Sequence, residues 1–322
     1  MLFRSCLDRV KPAYDVAVAD GKAVGLGLGL KNSGLGNGFR EWTGAVVRFN
    51  SHDDTVEVRH GWTEMGQGIN TVALQVCVEE LGVDPSRVRV IIDTTRELGI
   101  GQTTGSRGTL MGAGAVKSAC EAARAGGCQP DIDYLGEYIV DWTQKLGTVE
   151  NPTIHSTFGY AAQLVVMDRQ SGDVDHVVAV HDVGRAVNPI LCEGQIEGSV
   201  YMGVAELLFE HHHVMASGLK ADGSKRDSGP GKDGLLAHSS LLDYRLPTTL
   251  DTPELHAFVV EKPDPRGPYG AKEAGEGPLH SAIPAVCNAI YDAVGIRIDQ
   301  LPVTPEKVLR LLREKRTAEA NR

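Results

Sequence analysis

Hydrophobic and polar positions follow two rhythms along the chain. Residues 21–38 (GKAVGLGLGLKNSGLGNG) set glycine against leucine or valine with a period of two. That is the rhythm of a strand whose bare face lies close to another backbone. No helix pattern follows it, so it is not read as a GxGxxG dinucleotide fingerprint. TGAVVRF at 43–49 and TVEVRH at 55–60 predict two strands around the turn Asn50–Asp54. GWTEMGQGINT is a loop that opens a helix over 71–81, with Leu74, Val78 and Leu81 on one face and Gly82 ending it. RVRVII at 87–92 reads as a buried strand. The loop DTTRELGIGQTTGSRGT then leads into a helix of small residues over 109–124, closed by Gly126–Gly127.

Residues 128–158 read as irregular and polar, and 125–155 is the weakest point of the pattern. A long hairpin follows, YAAQLVVMD and DVDHVVAVHDV around the turn Arg169–Gly172. Small and apolar residues over 188–209 predict a long helix buried on most sides. Residues 215–236 read as a surface loop rich in glycine and lysine. The strand ELHAFVVE precedes the loop DPRGPYGAKEAGEG, and Pro278 starts a helix running to Val294. Thr304 caps the final helix, with Pro305 at its first position and Val308, Leu311 and Leu312 facing inward. This order predicts an α/β chain of mixed α+β character, with mixed sheets, packed helices and glycine-rich loops at several strand-to-helix junctions. No short repeat and no sharp linker appear; subdomains over 20–125 and 155–300 are the division the pattern allows.

Composition narrows the function. With 322 residues, 42% hydrophobic and 23% charged, the chain is globular rather than disordered. A net charge of −10 argues against a nucleic-acid partner, and the Arg310–Arg316 cluster alternates with Leu and Glu as a solvated helix face does. No run of about 18 apolar residues exists, so no membrane span is expected. The first residues, MLFRSCLDRVKPAYD, have no apolar core, which argues against a secretory signal. Cys6, Cys77, Cys120, Cys128, Cys192 and Cys287 form no CxxC, which excludes a zinc ribbon and an ordinary four-cysteine iron–sulfur motif. Reduced thiols in the cytoplasm are the simplest expectation.

Four segments put small residues with bare amides near a helix start: Glu64–Gly68 (EMGQG), Gly101–Gly108 (GQTTGSRG), Gly194–Gln195 and Gly270–Gly277 (GAKEAGEG). Such amides suit an anion, phosphate above all. Gln67 and Gln195 each carry a donor and an acceptor, which suits a heterocycle edge. Singly, each segment is better read as a tight turn with a local hydrogen bond. Glu276 lies between glycines before Pro278. It reads either as a carboxylate favoured by the helix dipole or as a general base accessible to substrate, and the two are compatible. His211–His213 reads as a surface patch, because adjacent residues point in different directions. His181–Asp182 reads as structural polar pairing. No GxSxG, Walker A or HExxH motif occurs.

EMGQG at 64–68, GQTTGSRGT at 101–109, HDVGRAVNPILCEGQIEGSVYMG at 181–203 and GPYGAKEAGEG at 267–277 resemble, in this order, the molybdenum hydroxylases. These are the xanthine dehydrogenase and aldehyde oxidase family, and the likeness is to the second half of their molybdopterin-binding region. The resemblance implies a domain of molybdopterin-binding type, in two subdomains. It assigns cofactor contacts to Gly66, Gln67, Gly68, Thr103, Thr104, Gly105, Ser106, Arg107, Gly108, Gln195 and Gly275, and the role of base to Glu276. It implies molybdopterin, or its cytosine dinucleotide form, with molybdenum held by the pterin and no protein metal ligand. In the mechanism it implies, Glu276 takes the proton of a molybdenum-bound hydroxyl, the oxygen attacks an electron-poor carbon, and hydride passes to a sulfido ligand. Lys272, Arg107 and Arg266 are candidate donors to the developing anion. The family's first set of cofactor loops is missing here, and the cysteines offer no cluster site. The implied partners are therefore a subunit or domain carrying the first half of the site, an iron–sulfur subunit and an FAD subunit. An apolar face for the missing half is expected. The alternatives are an aldehyde or 4-hydroxybenzoyl-CoA-type oxidoreductase subunit, and a non-catalytic truncated fragment.

Overall fold

A computed structural model describes residues 3–99, 103–210 and 238–321. In chain order the elements are α1 (Arg4–Ala19), β1 (Ala23–Ser33), β2 (Glu41–Phe49), β3 (Val56–His60), α2 (Ile69–Leu81), β4 (Val88–Ile92), α3 (Gly114–Ala125), β5 (Asp133–Val140), β6 (Thr157–Met167), β7 (Val174–Asp182), α4 (Pro189–Leu208), β8 (Glu254–Val260), α5 (Gly277–Val294) and α6 (Pro305–Ala320). A wide π-type turn at Gly108–Ala113 feeds α3. The strands form two four-stranded sheets, β1-β6-β7-β8 and β4-β3-β2-β5. In each, one neighbouring pair is parallel, β7 with β8 and β3 with β4, and the rest are antiparallel. The predicted α/β class with mixed sheets and packed helices is therefore observed.

The first sheet is covered on both faces, and the period-two rule sorts its residues. Val165, Met167, Val177 and Ala179 pack against α4 and α5, while Leu164, Val166, Val178 and Val180 pack under α1. The glycines of β1 serve the close approach that their alternation predicts. A Cβ at Gly25 would overlap the backbone of Ala285 and Ala289, and one at Gly27 the carbonyl of Ser281. α5 therefore rests directly on the strand. It also reaches round the outer edge of β1, where Asp292 accepts the Val24 N–H (3.0 Å) and Asn288 donates to the Leu26 carbonyl (2.9 Å). The second sheet buries Ala45, Val47, Val56 and Val58 under α2 and α3.

Several expectations need correction. β4 is an edge strand, with only Val88 buried, because among the described residues no strand pairs with its outer side. Residues 128–158 are not irregular throughout: 133–140 form β5, an edge strand whose Gly136 lets the α3 backbone approach at Ala119. The helix over 188–209 forms, capped by Asn188 (3.0 Å to the Leu191 N–H), but it is not buried on most sides. Ile190, Gly194, Gly198 and Met202 lie on an open face, with Ile190 79% exposed. α1 is an amphipathic helix at a segment read only for its lack of a signal; Cys6, Val10, Ala13 and Ala17 mark its inner face. The final helix is capped by Thr304 as predicted, and none of its residues is fully buried. The loop 215–236 and His211–His213 lie outside the described residues. Among the described residues no helix is long and apolar enough to cross a membrane.

His181 and Asp182 are buried at the end of β7 but do not pair with each other; each meets a different partner. His181 Nε2 lies 2.5 Å from Glu273 Oε1, without hydrogen-bond geometry, and Asp182 Oδ2 lies 2.8 Å from Lys272 Nζ. Cβ atoms at Gly159 or Gly277 would overlap the His181–Glu273 pair, so both positions need glycine. Burial opposes the charge of Glu273, but His181 and the Gly277 amide outweigh it and hold the carboxyl below its usual range. Its stabilisation is therefore present above the ordinary glutamate value of 4.5 and is lost as pH falls through the depressed folded value.

Two outcomes are expected. Gly27→Val should cost roughly 3 kcal/mol or abolish folding, whereas Leu28→Ala, at a position beyond the cover of α1 and 46% exposed, should cost under about 1 kcal/mol; urea unfolding separates them. Glu273→Gln should lower stability at neutral pH by roughly 1–3 kcal/mol and make the protein less sensitive to acid below about pH 4.5, as thermal melts across pH would show.

Candidate functional site

The four glycine-rich segments meet. They surround a cavity of about 240 Å³ lined by Gln67, Thr103, Thr104, Ser106, Arg107, Gly108, Gln195, Lys272, Gly275 and Glu276, with apolar wall from Met65, Ile69 and Val72. A smaller arm of about 60 Å³ shares Gln67, Gln195 and Lys272 and runs toward Arg185 and Leu191.

The loop before α2 holds its shape with its own acid. Glu64 accepts N–H bonds from Gly66 (3.0 Å), Gly68 (2.9 Å) and Asn70 (3.0 Å). Burial opposes its charge, but the Asn70, Gly68 and Gly66 amides outweigh it and keep the carboxyl below its ordinary value. Gly66 (φ +100°) and Gly68 (φ +87°) take the left-handed turns that L side chains avoid, and neither lines the cavity. Gln67 lines it, but its amide is bound within the loop, accepting from the Met65 N–H (2.6 Å) and donating to the Thr63 carbonyl (2.7 Å).

The second loop, described from Thr103 onward, stitches the others together; Gly101 and Gln102 lie outside the described residues. Thr103 Oγ1 accepts the Thr63 N–H at 3.0 Å. Ser106, itself left-handed (φ +48°), accepts through Oγ from the Ala274 (3.2 Å) and Gly275 (3.1 Å) N–H groups. Gly105 stands behind the lining, its carbonyl accepting the Gly34 N–H at 2.9 Å. Arg107 is buried and spends its guanidinium partly on Glu41 (2.5 Å) and the Thr104 carbonyl (3.1 Å), bracing loop to sheet. The sequence reading missed Glu41; a lone acid at a strand start next to an arginine loop 66 residues away carries no local signal.

Gln195 and Glu276 have freer side chains. The Gln195 carboxamide makes no hydrogen bond among the described residues, and a Cβ at Gly275 would stand 2.5 Å from its Oε1. Glu276 is the N-cap residue of α5, but its side chain caps nothing; Pro278 has no N–H, and the Gly277 N–H goes to Glu273 (3.0 Å). The Glu276 carboxylate is 41% exposed and lies 2.7 Å from Lys31 Nζ on β1, a partner the sequence reading did not identify. Of the three candidate anion donors, Lys272 lines the cavity but is paired with Asp182, Arg107 is paired with Glu41, and Arg266 is exposed and outside the lining.

The donor set is a carboxamide, hydroxyls, amides and one acid–base pair. Among the described residues no group of histidine, cysteine and acidic side chains could hold a metal ion. Such a wall fits a polar heterocycle that brings its own metal ligands, and Gly275 lets the Gln195 carboxamide lie close against the backbone.

Comparison with known proteins agrees. A family model described as a molybdopterin cofactor-binding domain matches residues 5–131 and 122–253. The 6-hydroxypseudooxynicotine dehydrogenase complex subunit gamma of Paenarthrobacter nicotinovorans is 30% identical, over 90% of this chain and 40% of its own length. The xanthine dehydrogenase molybdenum-binding subunit of Escherichia coli O157:H7 is 28% identical, over 83% of this chain and 39% of its own. The aldehyde oxidoreductase structure from Desulfovibrio gigas superposes with a TM-score of 0.78 at 25% identity, over 96% of this chain and 35% of that one. The chain thus spans less than half the length of these relatives. It belongs to the molybdopterin cofactor-binding domain family and is a molybdenum hydroxylase family member that covers part of the molybdenum-binding region.

Proposed function

We propose that this chain forms one wall of a molybdopterin site in a molybdenum hydroxylase, and that Glu276 is the proton acceptor of that site. The observation that carries this reading is the position of Glu276 in the wall of a cavity shared with Gln195, Thr103, Thr104 and Ser106, its side chain making no cap bond to α5. Gln195 and the amides and hydroxyls of 103–108 would hold the pterin and its phosphate. Once bound, the cofactor supplies the redox centre that takes two electrons from substrate. Glu276 receives the proton released when water-derived oxygen is added to an electron-poor carbon of a small molecule. Met65, Ile69 and Val72 keep water from one side.

The reading needs a partner, since the cavity has walls from this chain on part of its circumference and relatives are described as subunits of complexes. The open face of α4 begins beside Gln195 and runs along Ile190, Gly194, Gly198 and Met202. This face would receive the subunit or domain carrying the first half of the site, which would also roof the cavity. Iron–sulfur and FAD groups belong to further subunits. The six cysteines are all free, in keeping with a cytoplasmic location.

Two measurements test this. Glu276→Gln should lower kcat of the assembled enzyme about 100- to 10,000-fold with molybdenum content unchanged by elemental analysis; substantial turnover removes the assignment, and a wild-type complex without molybdenum favours the non-catalytic fragment. Gly198→Arg, at a position with open space around a new Cβ, should leave the circular dichroism of the chain unchanged and block co-purification of its partner.

A further inference from the structure

The Glu276 side chain has one polar partner among the described residues, and it comes from β1, the strand against which the first turn of α5 packs. Lys31 Nζ lies 2.7 Å from Glu276 Oε2 and also donates to the Asn32 carbonyl at 2.6 Å. The lysine is the more buried of the two, 18% exposed against 41%. Its backbone is fixed by the pairing of β1 with β6, where Lys31 stands opposite Gly159. We propose that Lys31 is the positioning residue of Glu276, fixing the carboxylate toward the cavity and keeping it ionised when the cavity fills; this rests on the reading of Glu276 as proton acceptor.

The physical need is specific. The exposed part of Glu276 is solvated by water that any occupant of the cavity displaces. Loss of that water raises a carboxyl pKa, and an anionic occupant raises it further. A protonated Glu276 could not accept a proton. The other charged groups nearby offer no compensation. Glu273 and His181 are committed to each other beneath the pair. Lys272 is paired with Asp182 and Arg107 with Glu41. His280, one turn along α5, is exposed and turned to the Leu30 carbonyl. His155, before β6, is pushed down first by burial and then by the charge of Lys31 itself. The field of Lys31 also reaches Glu273, where it favours the ionised acid. Lys31 is thus the cation whose ionic partner is Glu276, and it is placed where desolvation will be felt.

The test uses Lys31→Met and Lys31→Arg in the assembled protein, with and without cofactor. Carbodiimide labels protonated carboxyls, so the pH midpoint of Glu276 labelling, read by peptide mass spectrometry, follows its titration independently of turnover. Lys31→Met should raise that midpoint and move the acid limb of kcat/KM the same way, and Lys31→Arg should restore both. A midpoint unmoved in Lys31→Met overturns the proposal. So does an acid limb that stays in place while Glu276→Gln is inactive, since Lys31 would then act on the fold alone. Turnover surviving in Glu276→Gln would overturn the proton-acceptor assignment instead, and the labelling midpoint would then decide by itself whether Lys31 holds this carboxylate.

Discussion

The backbone of α5 lies on the backbone of β1 because the strand presents hydrogen atoms where side chains would stand, at Gly25, Gly27 and Gly29. This contact sets the rest of the site. It brings the first turn of α5 against the end of β1, where a Cβ at Gly29 would already touch Gly277 and Ser281 at 3.1 Å. Glu276 and Lys31, 245 positions apart in sequence, are neighbours for that reason alone. Ser33 and Gly34 then extend β1 into the 103–108 loop, and Ser106 carries the linkage on to 274–275. Strand, loop and helix start form one hydrogen-bonded ring, with the cavity at its centre.

Charge is distributed with similar economy. Three buried or half-buried acids, Glu41, Asp182 and Glu273, each meet a basic partner from another segment: Arg107, Lys272 and His181. Unpaired charges at such depth would be strongly destabilising, so each pair also joins two segments. Besides the paired Arg107 and Lys272, the polar lining of the cavity is the carboxamides of Gln67 and Gln195, a set of hydroxyls and Glu276, whose ionic partner Lys31 stands on β1 behind it.

Much of this was legible in the sequence where the signal is local. The period of two at 21–38, the hairpin at 160–183, the caps at Gly82 and Thr304 and the four loop segments each declare themselves within a dozen residues. The resemblance to molybdenum hydroxylases rests on those same segments. What was missed depends on partners distant in the chain. β5 has a mixed pattern because one of its faces is open, and α1 shows its inner face only as Cys6, Val10, Ala13 and Ala17, a sparse and weakly apolar stripe. β4 looked buried because Val and Ile fill it, yet burial at a sheet edge depends on a neighbour that the strand itself cannot encode. The open face of α4 was hidden by composition, since glycine reads alike whether it is covered or bare. Lys31 gave no signal, because a lysine near a strand end is ordinary until the fold shows which acid it meets.

The Glu64 loop has a consequence of its own. Its helix-start amides already hold a carboxylate, so the turn through Gly66 and Gly68 keeps its shape by intramolecular bonds. A loop that carries its own counterion is ordered before any ligand arrives, and the entropy of arranging it is spent during folding rather than at binding. Loading of the site can then be a late event, made on a receptor that has finished maturing.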